Sequence, residues 1–378
     1  MKRRAFALVL LCILLLLCLQ ITAGVSAQGG ITQICPATGI RGRGATFSPG
    51  GIILTAFDKS AIWLYNVDNG QRYPLPETMP CGSNCHLSPD ARWLTFFNDP
   101  TNSFNIMRLN GTERTYVTTD AAEISWWNPS TYLIWTPGKD AYLQPIGSDD
   151  REYLNVDGVI SVQPNGRYGV RVDPDDDGFY RSLVNLNDRN SPRVPLGADI
   201  PYFNAESWSR DGQWLAYVAP VNASGRTGGE IFGIRPGDAA PSQWTNLSNV
   251  YGAARVNGMA VGELSWSPDN TRIAFWVSEI TGADATTNVG SALIHILDVN
   301  TGAVSFYCGF STTEQTPNPP RLVWSPDGTY LAFGGRVPNG EAGYHLLAMD
   351  VASGAITSLS VGLVPIFGAP DVLVWGNG

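Results

Sequence analysis

Three aspartates stand at alternate positions in the segment VDPDDDGFYR. Asp173, Asp175 and Asp177 precede Gly178, and this D-x-D-x-D-G spacing can place three carboxylates around one hard cation. The backbone carbonyl of Phe179 is a further candidate ligand. We therefore predict a calcium site that stiffens a loop and takes no part in catalysis.

The same segment departs from a complete calcium loop. Calcium needs about six to eight oxygen ligands, and an EF-hand loop supplies a glutamate at its twelfth position. Val184 stands at that position here, and Arg181 occupies the ninth position, where an acidic residue would be expected. The alternative interpretation is an acidic, solvated hairpin tip that binds no metal.

A second group of carboxylates precedes several strands of a repeat that recurs along the chain. Glu123, Glu206, Glu263 and Asp371 lie four, two, three and four residues before the repeat position. Two carboxylates that flank a glycosidic bond can act as general acid and base, so we keep Glu123, Glu206 and Glu263 as candidate catalytic residues. Because their offsets differ, their side chains cannot all point the same way. A hydrolase or lyase acting on carbohydrate or peptide is therefore the second functional hypothesis.

The histidines give little support to a metal enzyme. His86, His295 and His345 occupy unrelated positions, and the chain contains no H-E-x-x-H segment. We expect all three to be ordinary structural residues. Apart from structural calcium, we expect no cofactor.

A recurring segment must position all of these side chains. The stretch LVWSPDGTYLAF, residues 322–333, reads as a strand, a turn and a second strand, and similar stretches recur along the chain. In the turn, proline fixes one backbone angle, serine and aspartate bond nearby amides, and glycine accepts a left-handed conformation. The aligned positions are Phe47, Leu87, Trp127, Val162, Trp208, Trp266, Trp324 and Trp375.

This periodicity predicts an all-β protein. Two further strands follow each repeated pair, as in YHLLAMDVASGAI at 344–356, and four antiparallel strands per repeat of 35 to 58 residues is the pattern of a β-propeller. We predict seven blades, with six and eight left open. Residues 371–375 and residues 45–47 both look like the inner strand of the first blade, so ring closure also stays open.

The W-S-P-D-G turn followed by an [LI]-A-F strand resembles the TolB-type, WD-repeat-like propeller family. It is also similar to the propeller domains of prolyl-oligopeptidase-class peptidases. The resemblance covers residues 41–378, but the chain has no room for the α/β domain of either group and contains no G-x-S-x-G. The resemblance implies a propeller standing alone, with a periplasmic or extracellular setting and a binding role.

The connections between strands predict where binding occurs. Turns from first to second and from third to fourth strand share one face of a propeller, and these are short here. Connections from second to third strand and from blade to blade share the other face and include 173–178, 219–230, 245–263 and 278–291. Since loops on a rigid frame carry specificity, we expect this loop-rich face to bind a protein, peptide or glycan. The alternative is that these loops are unconstrained insertions.

Tryptophan is the large side chain that recurs at the repeat position. Trp127, Trp208, Trp266, Trp324 and Trp375 are predicted to fill the wedges between neighbouring blades. Trp93 and Trp214 take a second-strand position and are also interpreted as structural. The remaining tryptophans are undetermined and include candidates for a sugar or peptide platform; they are Trp63, Trp126, Trp135, Trp244 and Trp276.

The N-terminal residues 1–27 have the features of a secretory signal. A KRR triplet, an apolar run over 5–22 and small residues at Val25–Ala27 match its three regions, and a membrane anchor is the alternative. Cleavage would shift the net charge from −9 to −12 by removing three basic residues, which makes nucleic acid a poor partner. We expect an exported monomer with residues 28–40 along the ring seam and one domain over 41–378.

Four cysteines remain after residue 27, an even number that favours an oxidising compartment. Three pairings are open for Cys35, Cys81, Cys85 and Cys308, which are all assigned to blade-to-blade links. If Cys81 and Cys85 close a local loop, Cys35 and Cys308 pair across the seam. The absence of C-x-x-C spacing argues against a metal site.

Overall fold

The structure is a computed structural model that describes most of the chain. The described residues are 30–44, 47, 49–55, 61–78, 85–121, 123–136, 141–154, 158–175, 178–188, 190–199, 206–220, 229–252, 254–256, 264–280, 289–313, 320–337, 343–364 and 372–377. The predicted signal segment 1–27 lies outside them. Within these ranges, no helix has the length and apolar composition to cross a membrane.

The described strands form seven sheets, each a blade of a β-propeller, which confirms the predicted fold class and blade number. Strands are numbered in chain order, and each blade is described from the channel outwards. Blade 1 consists of β31 (Val372–Gly376), β3 (Ile52–Thr55), β4 (Trp63–Asn66) and β5 (Arg72–Pro74). Blade 2 consists of β6 (His86–Leu87), β7 (Trp93–Asn98), β8 (Ser103–Arg108) and β9 (Thr115–Thr118). Blade 3 consists of β10 (Glu123–Asn128), β11 (Thr131–Trp135), β12 (Tyr142–Pro145) and β13 (Glu152–Tyr153).

The next two blades repeat this four-stranded arrangement. Blade 4 consists of β14 (Val159–Val162), β15 (Tyr168–Asp175), β16 (Gly178–Asn185) and β17 (Val194–Asp199). Blade 5 consists of β18 (Glu206–Trp208), β19 (Leu215–Ala219), β20 (Glu230–Ile234) and β21 (Ser242–Gln243).

Blades 6 and 7 carry additional strands at their outer edges. Blade 6 consists of β23 (Ser265–Trp266), β24 (Arg272–Ile280), β25 (Val289–Asp298), β26 (Val304–Thr312) and β1 (Ile31–Ile34), and β22 (Ala254–Val256) pairs with the far end of β24. Blade 7 consists of β27 (Val323–Trp324), β28 (Tyr330–Arg336), β29 (Tyr344–Asp350), β30 (Ile356–Val361) and β2 (Arg41–Gly42).

The repeated S-P-D turn is held by its own side chains. In blade 7, Ser325 Oγ donates to Asp327 at 2.6 Å and accepts from the backbone N–H of Tyr330 at 2.9 Å. The same serine–aspartate bond recurs in blades 2 and 5. Partial burial alone would raise the pKa of Asp327, but hydrogen bonds from Ser325 and Thr329 hold that pKa below the ordinary 3.8. The charged carboxylate therefore stabilises the turn above pH 3.8, and this contribution is lost as the pH falls through the lower pKa of the folded state.

Tryptophans on the inner strands join neighbouring blades. The indole Nε1 of Trp324 donates to the carbonyl oxygen of Ser265 in blade 6 at 2.8 Å, and Trp266 donates to Ser207 in blade 5 at 3.0 Å. The side chains of Trp208, Trp266, Trp324 and Trp375 are all buried, as predicted. The wedges of Trp266 and Trp324 thus combine a large apolar contact with a hydrogen bond for the indole N–H.

Blade 3 differs from the sequence alignment by one residue. Trp126, rather than Trp127, is buried, and its Nε1 donates to the carbonyl oxygen of His86 in blade 2 at 2.9 Å. Trp127 is half-buried and donates forward to Gly166 in blade 4 at 3.0 Å. The pairing of β10 with β11 shifts between Trp126 and Asn128. This irregularity makes Trp126 the residue equivalent to Trp266 and Trp324, whereas Trp127 packs in the wedge between blades 3 and 4, as predicted.

The tryptophans left undetermined by the sequence belong largely to the core. Trp244 and Trp276 are 7% and 2% exposed, while Trp63 and Trp135 are half-buried. None of the twelve tryptophans is among the exposed large hydrophobic residues of the described chain. Burial removes Trp126, Trp244 and Trp276 from the candidates for a sugar or peptide platform, and Trp63 and Trp135 stay candidates.

Blade 1 combines a C-terminal strand with three strands from the N-terminal part of the chain. The C-terminal β31 pairs antiparallel with β3, with Trp375 opposite Ile53. Residues 45 and 46 lie outside the described residues, while Phe47 packs edge-on against Tyr330 of blade 7 with ring centroids 5.2 Å apart. Of the two candidate inner strands, the terminal one is therefore used.

The N-terminal segment covers the outer edges of blades 6 and 7. Strand β1 pairs parallel with β26, and β2 pairs parallel with β30. A disulfide joins Cys35 to Cys308, which is the predicted seam pairing. Cys308 lies within β26 and not in a blade-to-blade link, which corrects that part of the assignment. Cys85 is also disulfide-bonded, and its predicted partner Cys81 lies outside the described residues.

The segment between blades 5 and 6 has structure of its own. It contains a short helix, α1 (Ser248–Tyr251), followed by β22. The buried carboxylate of Glu230 accepts backbone N–H groups of Leu247 and Ser248, each at 2.7 Å, which ties the start of α1 to blade 5. Residues 245–263 were predicted only as a long blade-to-blade connection, and their described part also contains a helix and a strand.

Candidate functional site: the central channel and its two mouths

The inner strands of all seven blades surround a central cavity of about 310 Å³. Its walls alternate small polar and large apolar residues because neighbouring positions of an inner strand point to opposite sides. The wall includes Ser125, Ser161, Ser207 and Ser265, together with inner-strand tryptophans. None of the four serine hydroxyls has a hydrogen-bond partner among the described residues, so each is free to bind a guest molecule or water.

The charged residues of the wall are cationic. Arg210 and Arg321 line the cavity together with His86, and none of the described lining residues is an aspartate or glutamate. This contrasts with the chain as a whole, which has a net charge of −9. The described part of the channel is thus a positive region inside an acidic protein.

Arg210 lies two residues after the end of β18, at the mouth formed by the short turns. Its backbone N–H donates to Asn270 Oδ1 of blade 6 at 2.9 Å. The carbonyl of Gly212 in the same turn accepts from Gln163 of blade 4 at 2.8 Å. Both neighbouring blades therefore fix the backbone that carries Arg210. Burial lowers the pKa of the Arg210 guanidinium from its ordinary value, which still leaves it charged at neutral pH.

The opposite mouth carries an acid next to a histidine. Glu123 begins β10, and its carboxylate lies 2.9 Å from Nε2 of His86 in blade 2. The two side chains are 40% and 19% exposed, and the Nε2 atom of His86 is itself buried against Glu123. A carboxylate beside an imidazole can exchange a proton with a bound molecule, which is the arrangement of a general acid–base pair.

The other candidate catalytic carboxylates cannot be placed near this pair. Glu206 begins β18, but its side chain is not described. Glu263 and Asp371 lie outside the described residues. Only Glu123 of this set can therefore be placed against a neighbouring group.

The candidate calcium segment forms the hairpin of β15 and β16. Asp173 is on β15, where Arg171 and Arg193 each approach its carboxylate at 2.8 Å, so both carboxylate oxygens are paired with a guanidinium. Phe179 lies on β16 and is 56% exposed. The side chain of Asp175 is not described, and Asp177 lies outside the described residues. Among the residues that can be searched, no cluster of three or more metal-binding side chains occurs. The calcium site stays a prediction.

The two faces of the ring differ in the predicted direction, though less cleanly than expected. On the short-turn face the described strands are joined by connections of at most eight residues, the longest being 186–193. On the opposite face the gaps between strands include 75–85, 220–229, 313–322 and 362–371. On that face, however, only two residues separate β15 from β16, and the connection from β7 to β8 is the short 3-10 turn Asp99–Thr101. It is therefore richer in long connections, but not uniformly so.

Two features of this site were missed in the sequence. The contact of His86 with Glu123 joins two repeats and leaves no signal in either one. Arg210 did leave a signal, because the corresponding turn position is proline in the other internal copies. These prolines are Pro49, Pro89, Pro129, Pro164, Pro268 and Pro326.

Together the seven sheets and the channel define a seven-bladed β-propeller. No family model matches the chain, and no curated protein matches it. Among solved structures, it is similar to TolB from Acinetobacter baumannii, with 14% identity, a TM-score of 0.43, and coverage of 87% of this chain and 66% of that one. It is also similar to a putative TolB from Agrobacterium tumefaciens, with 14% identity, a TM-score of 0.42, and coverage of 86% and 97%.

An enzyme is also among the structural neighbours. Oligogalacturonate lyase from Vibrio parahaemolyticus has 8% identity and a TM-score of 0.50, and the similarity covers 85% of this chain and 89% of that one. At such identities the likeness shows a shared fold and no shared activity. TolB-like propellers are thus structural neighbours of this chain.

Proposed function

We propose that this protein is an exported, non-enzymatic β-propeller that binds a protein, peptide or glycan through its loop-rich face. The observation that carries the proposal is the asymmetry between the two faces of one rigid ring. The turns of one face are locked by their own serine and aspartate side chains, whereas the long connections lie at the other. Variable loops on a fixed frame are the usual source of binding specificity.

Export is supported by the covalent chemistry of the chain. The Cys35–Cys308 disulfide and the oxidised Cys85 are typical of a periplasmic or extracellular protein. The charged, apolar and small-residue regions of residues 1–27 favour the same location. We expect the exported protein to be a monomer without nucleic-acid partners.

The test compares shortened connections on the two faces. One variant replaces residues 221–228 with Asn-Gly, a dipeptide suited to a tight hairpin, and a second does the same to 281–288, between the paired strands β24 and β25. The matched control replaces residues 187–192 on the short-turn face. Each protein is applied to glycan and peptide arrays, and bound partners are measured in solution. We expect at least one loop-rich-face variant to lose its partner while the control keeps it. Equal binding by all three would contradict the proposal.

A hydrolase or lyase is the second candidate, favoured by the pair of His86 and Glu123 at the channel mouth. Glu123→Gln keeps the size of the side chain and removes its charge. Substrate turnover by the unchanged protein on a glycan or peptide panel, lost in this variant, would favour the enzyme. The alanine variants of Glu206 and Glu263 extend the same assay to the other predicted carboxylates.

A further inference from the structure

We infer that the central channel holds a binding site for a small oxyanion, a carboxylate or phosphate group, with Arg210 as its charged ligand. The site lies at the short-turn mouth and is separate from the loop-rich face. It therefore goes beyond the proposed partner binding and does not depend on it.

Arg210 is the exception in an otherwise regular turn. Where the other internal copies carry proline, blade 5 has the sequence SWSRDG and places a guanidinium on the cavity wall. The turn does not need this side chain, because Ser209 and Asp211 form the usual serine–aspartate bond at 2.6 Å. The arginine is thus extra to the fold.

The guanidinium of Arg210 is also unpaired. No carboxylate or carbonyl of the described residues accepts a hydrogen bond from it, although the side chain is partly buried. In contrast, Arg171 and Arg193 share Asp173, and Arg272 donates to the carbonyl of Gly328 at 2.9 Å. A partly buried cation without a partner carries a solvation cost that a bound anion would remove.

A second donor near Arg210 is also unsatisfied. The buried indole Nε1 of Trp208, two residues before Arg210, has no acceptor among the described residues. The equivalent nitrogens of Trp126, Trp266 and Trp324 all donate to the preceding blade. Both unpaired donors, one on the cavity wall and one buried, therefore belong to blade 5, the internal repeat in which proline is replaced.

The remaining wall fits a small anionic guest. The four unpartnered serine hydroxyls can donate to oxygen atoms, and no described lining residue carries a competing negative charge. The planar fork of arginine binds carboxylate and phosphate in a bidentate manner. A cavity of about 310 Å³ admits a small molecule or one chain end, and it excludes a folded partner.

The test uses inorganic phosphate and succinate as probes, titrated into the full protein by calorimetry at ionic strength held constant with sodium chloride. We expect saturable binding of at least one probe. Arg210→Gln should weaken that binding by about tenfold to a hundredfold, because charge-assisted hydrogen bonds are lost. Arg210→Lys keeps the charge without the fork and should fall between the two.

Arg92→Gln is the matched control, since Arg92 is exposed on the corresponding turn of blade 2 and its removal changes the net charge equally. Its binding should equal that of the unchanged protein. Thermal unfolding checks that each variant is folded. Absence of saturable binding of either probe up to about 10 mM, or equal binding by Arg210→Gln, would overturn the inference. Retained partner binding by Arg210→Gln separates this site from the loop-rich face.

Discussion

The two halves of the ring protect their outer strands in different ways. Blades 6 and 7 have long outer strands, β26 and β30, and both are covered by parallel strands from the N-terminal segment. Blades 1, 2 and 3 have outer strands of three, four and two residues that stay open to solvent. Each of these exposes a tyrosine at its edge, namely Tyr73, Tyr116 and Tyr153.

This difference shows that edge protection follows strand length. A long open edge offers a row of unpaired backbone groups to other chains, whereas a very short edge offers few. Blade 4 is an exception to this rule, because its outer strand β17 has six residues, like β30, and is uncovered, but it contains Pro195 and a register irregularity near Gly197. Proline and bulges also blunt an edge. In both halves, in contrast, an inner-strand tryptophan donates to the preceding blade, as Trp126 and Trp324 do.

The largest loss of stability should come from removing the inner-strand tryptophans that join neighbouring blades in both halves. Trp126→Ala in the open half and Trp324→Ala in the covered half should each lower the free energy of unfolding by about 3–5 kcal/mol, because both remove a buried indole. Trp127→Ala, at a half-buried site one residue away, should cost clearly less. Urea unfolding measures all three. A larger loss for Trp127→Ala than for Trp126→Ala would restore the register of the sequence alignment.

Removing the disulfide of the covered half should lower the free energy of unfolding by a smaller amount. Replacing Cys35 and Cys308 by serine should lower stability by about 2–5 kcal/mol, since the crosslink spans 273 residues and restricts the unfolded chain. Hydrogen exchange should increase first in β1 and β26. Unchanged protection there, with a faster exchange in blades 1 to 3, would mean that the disulfide supports the ring as a whole and not the covered edge.

A fall in pH should destabilise the core of blade 6. Burial lowers the pKa of His295 from 6.5 to about 4, and its neutral ring accepts from Tyr251 and donates to Leu293. Between these pH values the unfolded chain binds the extra proton, so stability falls as the pH falls, by at most about 1.4 kcal/mol per pH unit. His295→Gln should lose about 2 kcal/mol less than the unchanged protein between pH 7 and pH 5. An equal loss in both would show that His295 is not the group responsible.

The smallest change in stability should come from calcium binding at the hairpin of β15 and β16 in blade 4. A weak calcium site with a dissociation constant of about 0.1–1 mM would add about 0.4–1.4 kcal/mol at 1 mM calcium. We expect thermal unfolding to shift upwards with calcium and back with a chelator, and Asp177→Asn to remove the shift. Asp150→Asn is the control, because it removes an exposed acid elsewhere. No change on chelation would leave the acidic hairpin tip as the correct interpretation.

The fold could be predicted from the sequence because the turn of each repeat is specified by residues close to it in the chain. The S-P-D turn needs only residues within five positions, as the bond from Ser325 to Asp327 illustrates, and the period of these turns implies the blades. The register of blade 3 could not be predicted, since the irregularity after Trp126 depends on how β10 pairs with β11. The parallel pairing of β1 with β26 and of β2 with β30 could not be predicted either, because a short strand does not determine which distant strand it pairs with.

The candidate site was harder to predict for the same reason. The channel wall is assembled from inner strands of different repeats, so neither the contact of His86 with Glu123 nor the unpaired state of Arg210 exists within one segment. Only the replacement of proline by arginine was visible beforehand. Sequence reasoning thus located the two faces of the ring more reliably than the side chains of the channel.

The closure of blade 1 has a consequence for how fast this protein reaches its native state. The indole of Trp375 donates to the carbonyl of Gly50, a contact between residues 325 positions apart. Such distant partners meet slowly, because the intervening chain loses much conformational freedom before the contact forms. We expect the ring to complete late, with an incomplete blade 1 as the most aggregation-prone intermediate on the route.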